Sequence, residues 1–209
     1  YLDSRVELQI GDVREPKAVR KALMGVDAVV HLAAAVGVGQ SMYEVAHYTS
    51  VNAMGTAVLL EALSKTPIRK LLVASSMSVY GEGLYVDEHG SPQTAVDRSR
   101  AQLAERLWEP LSPSGAKLTP KPTPETKPVT LGSIYALSKY DQERMSLIMG
   151  RAYGIDTVAL RFFNVYGPRQ SLSNPYTGVL AIFASRLLNG RPPLIFEDGQ
   201  QRRDFVSVH

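Results

Sequence analysis

Tyr135 and Lys139 stand four residues apart in the run 132–144, GSIYALSKYDQER. Residues at that spacing share one face of a helix, so a phenol and an ammonium can meet the same small object. A free phenol, with a pKa near ~10, is a poor base at neutral pH. A nearby positive charge favours the phenolate and lowers that value, which makes Tyr135 a usable proton acceptor from a sugar or alcohol hydroxyl. The lysine can also reach ribose hydroxyls. Alone, Tyr-x-x-x-Lys arises by chance in many helices and describes two surface residues equally well. Ser76 adds context. It closes the run 70–76, KLLVASS, where its hydroxyl can donate to the same substrate oxygen. HLAA (31–34) ends another apolar run in small residues, so a flat cofactor could approach the backbone. GDV (11–13) places a carboxylate, Asp12, where it can accept from an adenine amino group.

The elements that must position these residues alternate. VELQI (6–10) reads as a short strand, and Pro16 suits the first turn of a helix running to about Met24. DAVVHLAA (27–34) is nearly all apolar, as expected of a strand buried on both faces. A helix over 44–65 follows, with Val51, Val58, Leu59, Ala62 and Leu63 as its apolar stripe. Strands over 70–76 and 155–163 flank the helix that carries Tyr135. Strands alternating with helices predict a doubly wound parallel sheet covered on both sides, with ligands beyond the carboxyl ends of the strands. Asp12, His31, Ser75, Ser76 and Asn164 each close an apolar run, which is where such ligands sit.

Residues 82–132 interrupt this rhythm as a long insertion. One short helix over 97–108 is expected. Pro110, Pro113, Pro120, Pro122, Pro124 and Pro128 then favour extended chain on the surface. After Phe163 the pattern becomes a helix over 176–189, a strand PLIFE (193–197) and the tail RRDFV. Residues 1–163 thus read as most of one α/β domain and 164–209 as the start of a smaller lobe. The abrupt first and last residues suggest a fragment.

The bulk composition is that of an ordinary globular chain: 209 residues, 44% hydrophobic, 21% charged. No run approaches the ~20 apolar residues of a membrane span. The net charge of +3 comes from scattered basic residues, not from the clustered face a nucleic acid requires. Cysteine is absent, so thiolate metal sites and disulfides are excluded, and a reducing cytoplasm fits. His47, His89 and His209 have no metal-ligand spacing. His31 is read as a satisfied histidine at a strand end, and Asn52 as structural.

Seven pieces together resemble the extended short-chain dehydrogenase/reductases, and within them the NAD-dependent epimerase/dehydratase family. They are GDV, HLAA, VNAMGT (51–56), SSMSVYG (75–81), YALSK, LRFFNVYGPRQ (160–170) and RRDF (202–205). They stand in the family's order across nearly the whole chain. The resemblance implies a Rossmann-type fold, bound NAD and a nucleoside-diphosphate sugar, a dTDP- or UDP-hexose. It makes Tyr135 the catalytic acid/base, Lys139 its electrostatic partner and ribose contact, and Ser76 the residue holding the reacting hydroxyl. Asp12 and Val13 resemble the adenine contacts, Leu32, Ala33 and Ala34 the backbone lining the cofactor, and Phe163 a position beside the nicotinamide. Asn164 and Arg203 resemble the diphosphate contacts, Val179 a phosphate contact at a helix start, and Phe196 the position holding the base. Residues 1–163 become a partial NAD-binding domain and 164–209 a partial substrate lobe. A homodimer through helices around 45–64 and 134–153 is implied as well.

The family's glycine-rich turn, which lays pyrophosphate on a helix N-terminus, is missing, and with it the residue that separates NAD from NADP. Dehydratases of the family carry an Asp-Glu pair directly after the hydroxyl residue. Met77 and Ser78 stand there instead, which argues for C4 epimerisation. The run 161–179 with 197–209 looks most like proteins described as dTDP-L-rhamnose 4-epimerases, with UDP-glucose 4-epimerases close behind. A dehydratase, an NADPH-dependent reductase and a non-catalytic nucleotide-sugar binder are the alternatives.

Overall fold

The computed structural model describes residues 3–94, 96–171 and 178–209. In chain order the elements are α1 (Pro16–Ala22), β1 (Ala28–His31), α2 (Val38–Ser41), α3 (Val45–Tyr48), a π-helical turn (Thr49–Met54), α4 (Gly55–Leu63), β2 (Lys70–Ala74) and a 3-10 turn (Met77–Tyr80). They continue with β3 (Leu84–Val86), β4 (Pro92–Gln93), α5 (Arg100–Ala104), β5 (Thr119–Lys121), α6 (Ile134–Tyr153), β6 (Asp156–Leu160), β7 (Asn164–Tyr166), α7 (Val179–Leu188) and β8 (Phe205–Ser207). Two compact units form, one from 1–76 with 133–161 and one from 77–132 with 162–209.

The first unit is built on a parallel sheet in the order β1-β2-β6. Val30 pairs with Leu72, and Leu72 with Val158. Successive strand residues face opposite ways. Val29 and Leu71 therefore turn to one side, into a core with Val19 and Leu23 of α1, Leu59 and Leu63 of α4, and Ile155. Val30 and Val158 turn to the other side and are 62% and 53% exposed. The expected cover on both faces is thus found on one face among the described residues of this unit. α6 starts with Ser133 as N-cap, its hydroxyl accepting from the Ala136 amide at 3.0 Å. It stops at Gly154, whose positive φ of 66° a side chain would disfavour. Gly150 lets α6 lie against β6, because a Cβ there would overlap the Thr157 side chain.

Three expected elements differ. Residues 6–10 form no strand, and Ile10 is 96% exposed. A parallel strand is held by a neighbour's N–H and C=O groups, and the β1-β2-β6 sheet gives this segment none. The helix over 44–65 is three pieces, α3, the π turn and α4. Its apolar period shows the stripe but not the extra residue of a π turn, which tertiary bonds to Asn52 support. PLIFE is irregular, and the tail alone supplies β8, paired in parallel with β7.

In the second unit the insertion holds more order than its prolines suggest. β4, β3 and β5 form an antiparallel sheet with β3 in the centre. Pro92 and Pro120 sit on the two outer strands, where a missing N–H can be tolerated. α5 is shorter than expected and is capped by Ser99. Arg98 joins Glu82 and Glu197, each at 3.0 Å, and so ties the insertion to the end of the 193–197 segment. Lys127, buried, donates to the Tyr80 carbonyl at 2.8 Å. Among the described residues no helix is long and apolar enough to cross a membrane. Tyr176, the expected start of α7, lies outside the described residues.

Candidate active site

α6 brings Tyr135 and Lys139 to the same buried face, with Ala136, Ser138, Gln142, Glu143 and Ser146. Tyr135 is held from several sides. Its amide donates to the Ser41 hydroxyl at 2.9 Å. The ring of Tyr48 meets its ring edge-on, with centroids 6.4 Å apart. Its phenol shares a hydrogen bond with Ser76, which sits just beyond the carboxyl end of β2. Burial raises the phenol's pKa and the Ser76 bond opposes that rise. This departs from the acidified phenol expected from the Tyr-Lys spacing. The physical reason is that Tyr135 is deeply buried, and the Lys139 ammonium donates to the Gln142 side-chain carbonyl. Burial also lowers the Lys139 pKa to about 8, so its own charge is weakened above neutrality.

A connected set of buried polar groups supports this face. Gln142, with no exposed surface, donates from Nε2 to Thr56 Oγ1 at 2.8 Å, and lies 3.1 Å from His31 Nε2 and 3.3 Å from the Ala33 carbonyl. His31 Nε2 also lies 2.8 Å from Thr56 Oγ1. Burial, and then the charge of Lys139, lower the His31 pKa to about 4, so the ring is neutral. Asn52, at the π turn, accepts from the Ala35 amide at 2.7 Å and donates to the Ala35 carbonyl and the Ser138 hydroxyl. It is structural, but its partners are a distant loop and α6, not its own helix. A π turn replaces regular i→i−4 bonding and re-aims side chains.

A second set lies behind Ser76. Ser75 donates to Glu143 Oε2 at 2.7 Å, and Arg161 makes a bidentate pair with Glu143 at 2.7 and 3.0 Å. Burial pushes the Glu143 carboxyl up, but the bonds from Arg161 and Ser75 outweigh it and hold its pKa below the usual value. The end of β2, α6 and the end of β6 are thereby fastened together. Gln142 and Glu143 stand three and four residues after Lys139, so helix-face counting flags them. Nothing local in the sequence ties Arg161 to them.

The other expected residues divide between the units. Asp12 pairs with Arg14, whose hydrogen bonds hold the carboxyl pKa at about 2, so the group is ionised. Val13 packs on α4, where a Cβ on Gly55 would come 2.5 Å from its Cγ1. Leu32 and Ala33 are exposed beyond β1, and Ala34 is half-buried. Phe163, Asn164, Val179, Phe196 and Arg203 belong to the second unit. There Asn164 and Val179 line one shallow depression with Tyr166, Gln170, Leu180 and Phe205. The Asn164 amide donates to the Asp204 carbonyl at 2.8 Å. Phe196 is 72% exposed, and Arg203 is exposed, its guanidinium donating to the Arg202 carbonyl. The structure therefore brings Ser76, Tyr135 and Lys139 into one unit. Phe196 and Arg203 are not among the residues lining the depression beside Asn164. Among the described residues no group of His, Asp and Glu could hold a metal ion.

The family model described as NAD dependent epimerase/dehydratase family matches residues 2–209. A dTDP-L-rhamnose 4-epimerase of Burkholderia thailandensis is 36% identical over 217 residues, covering 99% of this chain and 57% of that protein. The crystal structure of UDP-glucose 4-epimerase from Thermotoga maritima with UDP-glucose superposes with a TM-score of 0.76 at 29% identity, covering 99% of this chain and 57% of that one. The UDP-glucose 4-epimerase of Thermus thermophilus in complex with NAD gives 0.67 at 30% identity, covering 95% and 55%. The chain spans about half the length of the relatives it matches.

Proposed function

The chain belongs to the NAD dependent epimerase/dehydratase family, and from that premise we propose that the protein inverts C4 of a nucleoside-diphosphate sugar with NAD, through a transient 4-keto sugar. The observation that carries this reading is the hydrogen bond between Ser76 and Tyr135 with Lys139 one turn further along the same buried helix face. A protein that only bound nucleotide sugars would have no use for that grouping.

The donor set suits the cofactor. Lys139 has three ammonium protons and Gln142 takes one. The other two are free for the vicinal hydroxyls of a ribose. The ionised Asp12 can accept from an adenine amine, and the exposed backbone of Leu32 and Ala33, with Ala34, can lie along the dinucleotide. Bound NAD would supply reversible hydride acceptance at C4. Ser76 donates to the C4 oxygen and fixes its position. Tyr135 takes the hydroxyl proton and later returns it. Its raised pKa keeps it protonated at rest, so Tyr135 must first release that proton to solvent, and the ammonium of Lys139 stabilises the phenolate that then takes the hydroxyl proton. Met77 and Ser78, at the positions of the dehydratase Asp-Glu pair, cannot expel water, which supports epimerisation.

Within this reading residues 1–163 serve the dinucleotide and 164–209 the nucleotide sugar, through Asn164, Val179, Phe196 and Arg203, with Phe163 beside the nicotinamide. The substrate is a dTDP- or UDP-hexose, dTDP-L-rhamnose first, by likeness to the Burkholderia protein. A homodimer would form through the helices around 45–64 and 134–153, on which Val45, Leu137 and Ile148 are exposed apolar residues. The absence of cysteine suits a cytoplasmic enzyme. The test is to incubate the protein with NAD and each of these sugars and follow C4 inversion by NMR. Tyr135→Phe should lower turnover by about 10²-fold or more. Undiminished turnover in that variant would end the proposal.

A further inference from the structure

Building on the reading of Lys139 as the cation of the site, we propose that Gln142 is its positioning residue: the Gln142 carbonyl holds the ammonium, and Thr56 and the Ala33 carbonyl lock the amide so that it can only accept from Lys139.

One arrangement of the amide suits Lys139, Thr56 and Ala33 together. Oε1 accepts from Lys139 Nζ. Nε2 donates to Thr56 Oγ1 at 2.8 Å and faces the Ala33 carbonyl at 3.3 Å. Turning the amide over would set its NH2 against an ammonium and its oxygen against a carbonyl. Both contacts would then be like against like, in a place without exposed surface. An amide is costly to bury unless each of its groups is bonded, so a residue serving only to fill this space would be apolar. His31 fits the same arrangement. Its Nε2 lies 2.8 Å from Thr56 Oγ1 and bonds there, leaving the two Gln142 amide protons to Thr56 and the Ala33 carbonyl, while the 3.1 Å approach of the amide nitrogen to the ring is a packing contact.

The consequence reaches the proposed site from two directions. Lys139 is fixed at one proton and keeps two for a ligand. Ala33, which anchors the far side of the amide, belongs to the segment expected to lie along the cofactor. The amide thus sets the distance between the cation and that segment. The titratable groups around this cluster are His31 from β1, Tyr48 from α3, Tyr135 and Glu143 from α6, and Arg161, which neutralises Glu143. Of these, His31 is coupled electrostatically to Lys139.

The experiment is a pH titration of lysine side-chain Cε signals by NMR on the 209-residue chain, with Lys139 assigned by its loss in Lys139→Met. The native midpoint is expected at about 8. Gln142→Met keeps the volume and removes the acceptor. The Lys139 midpoint should then fall by about one pH unit, the size of a lost bond to a charged group. Gln142→Glu places a carboxylate at the same point and should raise the midpoint by a similar amount. A Lys139 midpoint unchanged in a folded variant, or moved in the opposite sense, overturns the proposal. Should Gln142→Met fail to fold, Gln142→Glu decides alone. The readout needs no turnover, so the two proposals fail separately: a fully active Tyr135→Phe ends the catalytic reading and leaves the titration standing, and a still midpoint ends only the role of Gln142.

Discussion

Acidification should destabilise this protein through His31 before most carboxylates are protonated. The ring is buried, with Nε2 2.8 Å from Thr56 Oγ1 and 3.1 Å from Gln142 Nε2. Burial first, and the charge of Lys139 second, lower its pKa from 6.5 to about 4. Between those values the unfolded chain binds a proton that the folded chain refuses. Stability is therefore complete above pH 6.5 and falls as the pH drops toward 4. Each pH unit in that window costs about 1.4 kcal/mol, so the loss is about 2 kcal/mol near pH 5 and about 3 kcal/mol near pH 4. Set against a typical total of roughly 5–15 kcal/mol, that is a large fraction. The assay is urea denaturation of native protein and of His31→Gln, an uncharged variant, near pH 7.5 and near pH 5. The native protein should lose about 2 kcal/mol more than the variant between the two. Lys139→Met should shrink the native loss, because it removes the second cause. Equal losses in native protein and His31→Gln would show that the ring is not held neutral by its surroundings.

Two further outcomes follow from packing and pairing. Glu143→Leu removes the acceptor of both Ser75 and Arg161 from a largely buried position. It should cost about 3 kcal/mol in a denaturant titration, the scale of a broken buried pair, and a loss near zero would show that the pair is not supporting the ends of β2 and β6. Gly150→Ala drives a methyl group into Thr157 and should cost about 1–3 kcal/mol, lowering the melting temperature, whereas an unchanged melting temperature would mean that α6 is not tightly seated on β6.

The sequence by itself determined what depends on neighbours along the chain. The placing of Tyr135 and Lys139 on one face of α6 follows from the helix period alone. The apolar runs of β1, β2 and β6 declare a parallel sheet, but not how much of it is covered, since Val30 and Val158 on one face are exposed. Ser76 was legible as a polar residue closing such a run, and the order of the seven short pieces pointed to the family. Tertiary structure decided whatever depends on partners far away in the chain. Residues 6–10 have the alternation of a strand and remain irregular, since a strand requires a neighbour's hydrogen bonds and periodicity cannot supply them. The break of a helix into a π turn depends on Asn52 reaching Ala35 and Ser138. Pro92 and Pro120 could enter strands only because those strands are at edges. The protonation of Tyr135, Lys139 and His31 was the least legible of all. Residue spacing predicts which charges are near, but burial dominates each of these three shifts, and burial is a property of the whole packed unit.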